Sequence, residues 1–240
     1  MKQLRQIKPG WYLLGALFIY SIVISFAYLN ARKPQPTPEP VVSQELEEAT
    51  STVADGLWFP IPGAHLPEDD SYLPGSARNY RRGENQGFDF YGNDAGIPIV
   101  YGQAVIAASD ATVIRADTVY TEPSQADWQA LIAKVGTDGA NETDLNILRG
   151  RQVWLELPDK RILRYAHLSA IDPSIKVGET VYRGQVIAYV GNSGTDDGVA
   201  GTNRGARLHF EIWNSNGQYF GQGLGTAATR EAAQNLFVGP

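Results

Sequence analysis

The sequence predicts a mainly β domain, an antiparallel barrel or sandwich with a short helical insertion, preceded by one N-terminal transmembrane helix. Three features carry that expectation. Residues 11–29 are an uncharged apolar run, residues 33–51 are rich in proline and glutamate, and from about residue 57 short β-type runs alternate with glycine-bearing turns.

The apolar run reads WYLLGALFIYSIVISFAYL and is 19 residues long. As a helix it would span roughly 28 Å, close to the thickness of a bilayer's hydrocarbon core. Lys2, Arg5 and Lys8 precede it and Arg32 and Lys33 follow, a slight bias that favours a cytoplasmic N-terminus over residues 1–10. Trp11, Tyr12 and Tyr28 fall at the two ends, where aromatic rings prefer the interface. The run is longer than the apolar part of a usual signal peptide and no clear A-x-A site follows, so a signal anchor is the reading adopted over a cleaved peptide. Either way the rest of the chain crosses the membrane. The expected location is a single-pass position at the cell membrane with the domain on the extracytoplasmic side.

Next comes a spacer, residues 30–56, where prolines at 34, 36, 38 and 40 favour an extended chain and Glu45, Glu47 and Glu48 add solvated charge. The formal charge of the chain is -6, with no Lys/Arg-rich run, so nucleic acid is not an expected partner. There are no cysteines, which excludes disulfides, thiolate metal sites and cysteine catalysis. Only three histidines occur, His65, His167 and His209.

Within the domain, expected over 57–225, the strands fall at 87–91, 104–108, 112–116, 152–157, 162–167, 185–190 and 207–213. A helical apolar pattern at 124–135 and a second short one at 142–149 form the insertion, about 122–149. Residues 226–240 read as a C-terminal tail.

In the final strand, Arg207-Leu208-His209-Phe210-Glu211, alternation puts residues 207, 209 and 211 on one face and Leu208 and Phe210 on the other. Such a strand presents either chemistry or a polar groove. Upstream lie Tyr165-Ala166-His167-Leu168 and the run Gly184-Gln185-Val186-Ile187-Ala188-Tyr189-Val190-Gly191-Asn192-Ser193-Gly194. Further upstream are Asn85-Gln86-Gly87-Phe88-Asp89 and Gly96-Ile97-Pro98-Ile99. In order and spacing these segments resemble the lysostaphin-type (LytM-domain) zinc endopeptidases of peptidoglycan, over about residues 59–213.

That resemblance implies a LytM-type fold and a set of site positions. Asp89 and His209 match zinc ligands, and His167 matches a catalytic histidine. Two positions depart: Asn85 stands where the family has a ligand histidine, and Arg207 where it has a catalytic one. An amide oxygen is a poor substitute for imidazole at zinc. Arginine is always protonated and cannot serve as a base. Placed at about 5 Å from a divalent ion, its charge would repel it by several kcal/mol at an effective dielectric near 20. The expectation is therefore a degenerate site with His167, Asp89 and His209 vestigial, and with Arg207 paired to Asp89. No cofactor is expected, with zinc the one implied should the site remain competent. Tyr165 and Glu211 are expected in the binding groove. Trp58, Phe59, Tyr72, Tyr80, Tyr91 and Tyr101 are core or groove-wall aromatics. His65 reads as a surface or packing residue, Glu84 as facing away, and Asp196-Asp197-Gly198 as a solvated turn.

Three functions follow from this reading. The leading one is a membrane-anchored envelope protein whose peptidase-type domain binds peptidoglycan, or regulates a wall hydrolase, with impaired catalysis. The second is an active zinc endopeptidase with altered ligands, and the third is an assembly module without wall contact.

Overall fold

A computed structural model describes residues 56–238 of the chain. The expected membrane helix, residues 11–29, and the spacer up to residue 55 lie outside them. No helix among the described residues is long and apolar enough to cross a membrane.

In chain order the elements are β1 (Ala77–Arg78), β2 (Gly83–Glu84), β3 (Phe88–Tyr91), β4 (Ala104–Ile106), β5 (Ala111–Ala116), α1 (Gln125–Asp138), α2 (Glu142–Leu148), β6 (Val153–Glu156), β7 (Ile162–Ala166), β8 (Leu168–Ile171), β9 (Thr180–Val181), β10 (Val186–Val190), α3 (Asp196–Val199), β11 (Arg207–Trp213) and α4 (Thr226–Leu236). The main sheet has the order β3-β11-β7-β6-β5-β9, and a second has the order β4-β10-β8. Every pairing between these strands is antiparallel. The expected antiparallel β domain is there, but its barrel form is not: among the described residues β3 and β9 are open edges of the main sheet.

Alternation explains which face is buried. Leu208, Phe210 and Ile212 of β11 join Phe88 and Phe90 of β3 and Leu163 and Tyr165 of β7 in one core, which Val105, Ile187 and Val190 of the second sheet complete. Phe210 pairs with Phe88 on one side and Tyr165 on the other, so the aromatic row crosses three strands. Gly87 is fixed by this packing: a Cβ there would lie 2.4 Å from the Phe210 carbonyl oxygen.

The helical insertion forms where expected. Ser124 caps α1 by accepting from the Asp127 backbone N–H, and Asn141 and Asp144 form a reciprocal capping box on α2. Trp128, Leu131 and Val135 of α1 meet Leu145 and Leu148 of α2 in a small core of their own.

Residues 226–236, read from the sequence as tail, form α4 instead. Small residues dominate that stretch, which weakens the hydrophobic pattern that would announce a helix. Its end docks through Phe237, stacked on Phe59 at 4.5 Å between ring centroids and edge-on to Phe88. The Leu57 N–H donates to the Leu236 carbonyl at 2.9 Å, joining the start of the domain to its end. Phe237→Ala is expected to lower unfolding stability by about 3–5 kcal/mol. Urea denaturation checks this, and an unchanged midpoint would show that α4 is not part of the cooperative core.

Candidate functional site

The polar face of β11 forms the floor of a cleft of about 520 Å³. The helical insertion supplies one wall through Trp128, Ile132, Leu145 and Leu148, and Tyr72, Tyr80 and Tyr91 line it as well. Of the six aromatics singled out in the sequence, these three face the cleft, while Phe59 packs on the core.

Register builds the centre of the floor. His209 on β11 lies directly opposite Asp89 on β3, and Glu211 follows two residues on, on the same face. The His209 Nδ1 is 2.8 Å from Asp89 Oδ1, and its Nε2 is 3.0 Å from Glu211 Oε1. Two carboxylate oxygens accept, so both ring nitrogens donate and His209 is an imidazolium. Burial alone would lower its pKa, but Asp89 and Glu211 win and raise it above 6.5. The two acids are buried too. Burial would push Asp89 up, yet His209, Arg78 and Arg207 hold it well below the carboxylate range. Glu211 is held down in the same way, against its burial, by Arg149 and His209.

The arginine that pairs with Asp89 is Arg78, not Arg207. Arg78 NH2 donates to Asp89 Oδ2 at 2.5 Å, and Asn85 Nδ2 donates to the same oxygen at 3.1 Å. Arg207 is paired in the ladder with Tyr91, which leaves it diagonal to Asp89, while the short β1–β2 hairpin brings Arg78 over the carboxylate. Among the described residues the Arg207 guanidinium makes no hydrogen bond, and its Nε is buried without a partner. Its charge still acts at a distance, lowering the pKa of both Asp89 and His167.

His167 reaches the cleft by a route that alternation does not give. It sits between β7 and β8 with φ of 60°, a conformation uncommon outside glycine. Its backbone N–H donates to the Arg149 carbonyl at 2.8 Å, holding the kink. The side chain lies 2.7 Å from the Ser193 carbonyl through Nδ1. A carbonyl only accepts, so Nδ1 carries the proton and Nε2 keeps its lone pair. Burial, then the charges of Arg207 and His209, push its pKa well below 6.5 and keep the ring neutral.

Of the two expected groove residues, Tyr165 lies outside the cleft and Glu211 lines it. Tyr165 is wholly buried in the core, where its hydroxyl accepts from the Ala108 N–H at 3.0 Å, because the register sets it opposite Phe210. Glu211 lines the cleft but is 1% exposed and saturated. It accepts from Arg149 Nε at 2.6 Å, Trp213 Nε1 at 2.6 Å and Arg164 at 3.4 Å besides His209. His65 is exposed and outside the cleft, and the Glu84 carboxylate turns away to the Tyr219 hydroxyl.

Comparison with family models matches residues 91–221 to "Peptidase family M23", more than half of the chain. The chain belongs to peptidase family M23. Among solved structures it is similar to a zinc-containing peptidase from Vibrio cholerae, at 22% identity over 65% of this chain and 36% of that one, with a TM-score of 0.40. It is also similar to the catalytic domain of lysostaphin from Staphylococcus simulans, at 22% identity over 59% and 75%, TM-score 0.36. A third is Csd3 of Helicobacter pylori, at 20% identity over 74% and 38%, TM-score 0.40. The chain spans little more than a third of the length of the Vibrio and Helicobacter proteins. Comparison with curated proteins found no match.

M23 membership implies zinc, and the residues at this site do not fit it. Asp89 and His209 are two of the family's ligands, but the third position holds an amide, a poor zinc donor. Asn85 turns its NH₂ group, not its oxygen, to Asp89. The outer oxygen of Asp89 is covered by Arg78. Among the described residues no group of three or more His, Cys, Asp or Glu side chains is placed to hold a metal ion.

Two further residues of this M23 site carried no signal in the sequence. Arg78 stands alone in a turn-rich stretch. Arg149 ends α2 and bonds Glu211, Glu142 and the Gln86 side chain at once, fastening the insertion to the floor. Only the pairing of distant segments reveals either role.

The charges set a pH profile. The depressed Asp89 and Glu211 stabilise the fold above their ordinary values of 3.8 and 4.5, and that contribution is lost as pH falls. The neutral His167 weakens the fold as pH drops below 6.5. The raised His209 contributes fully below 6.5 and loses its contribution as pH rises through its folded value. Urea midpoints are therefore expected to peak close to pH 6.5, and His209→Gln should abolish the decline on the alkaline side. A variant with the wild-type alkaline slope would contradict this.

Proposed function

We propose that this chain is a cell-envelope protein whose M23 domain binds peptidoglycan peptides in its cleft without cleaving them. Residues 11–29 would hold it at the membrane, residues 30–56 would space the domain from the bilayer, and the domain would lie on the extracytoplasmic side. Positioning or activating a wall hydrolase would use the same cleft.

The observation that carries this reading is the cation at Arg207. Hydrolysis of an amide needs a polarising charge and a group that takes a proton. Arg207 lines the cleft where the family resemblance places a catalytic histidine, and it cannot accept a proton. Arg78 and His209 already neutralise the carboxylate that would face a metal. The cleft itself remains, with aromatic and apolar walls suited to a peptide.

Purified full-length protein is expected to sediment with isolated peptidoglycan sacculi and to release no soluble fragments, with or without added zinc. Zinc-dependent release of fragments would overturn the reading. The triple change Arg78→Ala, Asn85→His and Arg207→His is expected to create a zinc site measurable by metal analysis. If that variant stays folded and still takes no zinc, the cleft is not a dismantled metal site.

A further inference from the structure

The chain as a whole is acidic, at -6, yet the cleft is not. Four arginines and the His209 imidazolium face three carboxylates along its lining. Two of those carboxylates, Asp89 and Glu211, are consumed by internal pairs. Arg78 and Arg149 are spent on the same pairs, and Arg81 donates to the Glu84 carbonyl. Arg207 remains, a guanidinium with no hydrogen-bond partner among the described residues, in a partly desolvated site where an unpaired charge is costly. We infer that Arg207 is the anchor for an anionic ligand, and that this ligand is the free C-terminal carboxylate of a short peptide. The inference rests on the peptide-binding reading above and gives it a polarity.

The neighbouring groups choose the carboxylate of a peptide over a phosphate. The guanidinium fork matches either anion. His167 keeps a lone pair on Nε2 in a residue that lines the cleft. Asp196 also lines it, with one carboxylate oxygen taken by Trp128 Nε1 at 2.6 Å and the other making no hydrogen bond among the described residues. These are acceptors. A hydrogen phosphate dianion brings a single O–H to these two acceptors, whereas a peptide brings backbone N–H donors, the first on the residue that carries the carboxylate. Tyr91 and Trp128 flank the space with apolar surface that a small side chain can cover.

The test is calorimetric titration of the full chain with N-acetyl-D-alanyl-D-alanine, its C-terminal amide and inorganic phosphate. The acid is expected to bind at least about tenfold more tightly than the amide, and phosphate not to compete with it. Arg207→Ala should weaken the acid by about 10- to 100-fold and leave the amide unchanged. Arg207→Lys should retain part of the affinity, and Arg207→Gln repeats the loss should the alanine variant unfold. Equal binding of acid and amide, phosphate competing on equal terms, or a wild-type affinity in Arg207→Ala would each overturn the inference. If sacculi sediment with the protein while the acid does not bind, this inference fails and the proposed function stands. If neither binds, both fail.

Discussion

The site is organised by one histidine clasped between two carboxylates. The β3–β11 register sets His209 opposite Asp89, and the strand's own alternation sets Glu211 on the same face. All three side chains are buried or nearly so, a position that isolated charges do not tolerate. They are tolerated because each is answered: Arg78 on Asp89, Arg149 and Arg164 on Glu211, and the imidazolium between them. Removing one member would leave a buried charge without its counter-charge, which costs more than the pair itself contributes. The network also ties remote parts of the chain together, since Arg78 comes from the first hairpin and Arg149 from the end of α2.

That arrangement underlies the function proposed for the cleft. In a zinc peptidase, negative carboxylate and neutral imidazole converge on a divalent cation. Here the protein's own cations, Arg78 and the His209 imidazolium, lie against Asp89 instead. On the proposed reading they take the place of the metal's charge. The cleft has shape, apolar walls and one guanidinium without a hydrogen-bond partner among the described residues, the attributes on which the proposed binding role rests.

Much of this was legible in the sequence, and for physical reasons. The period-two pattern of 207–213 assigned Leu208 and Phe210 to the core and His209 and Glu211 to the polar face, as found. Each of the seven expected strands has its counterpart, because Val, Ile, Tyr and Trp between turn residues leave few alternatives. The two insertion helices carry their own caps in Ser124 and Asn141. What failed was what depends on geometry between segments. The charges of Arg207 and Asp89 are both visible in the sequence, but only the diagonal offset in the ladder shows that Arg78 is better placed. Tyr165 and His167 are two apart and would share a face in a regular strand; register keeps the tyrosine in the core opposite Phe210, and the positive φ at His167 breaks the alternation and turns the histidine to the cleft. Helix α4 escaped because Ala and Thr give a weak apolar stripe, its docking resting on Phe237 beyond its end.

The most direct test of this account is metal content. Full-length protein stripped with chelator, reloaded with excess zinc and passed through a desalting column is expected to retain well under one zinc per chain. One tightly held zinc per chain, lost on Asp89→Ala or His209→Ala, would mean that the arginines yield to the metal and that the domain is a working peptidase site after all.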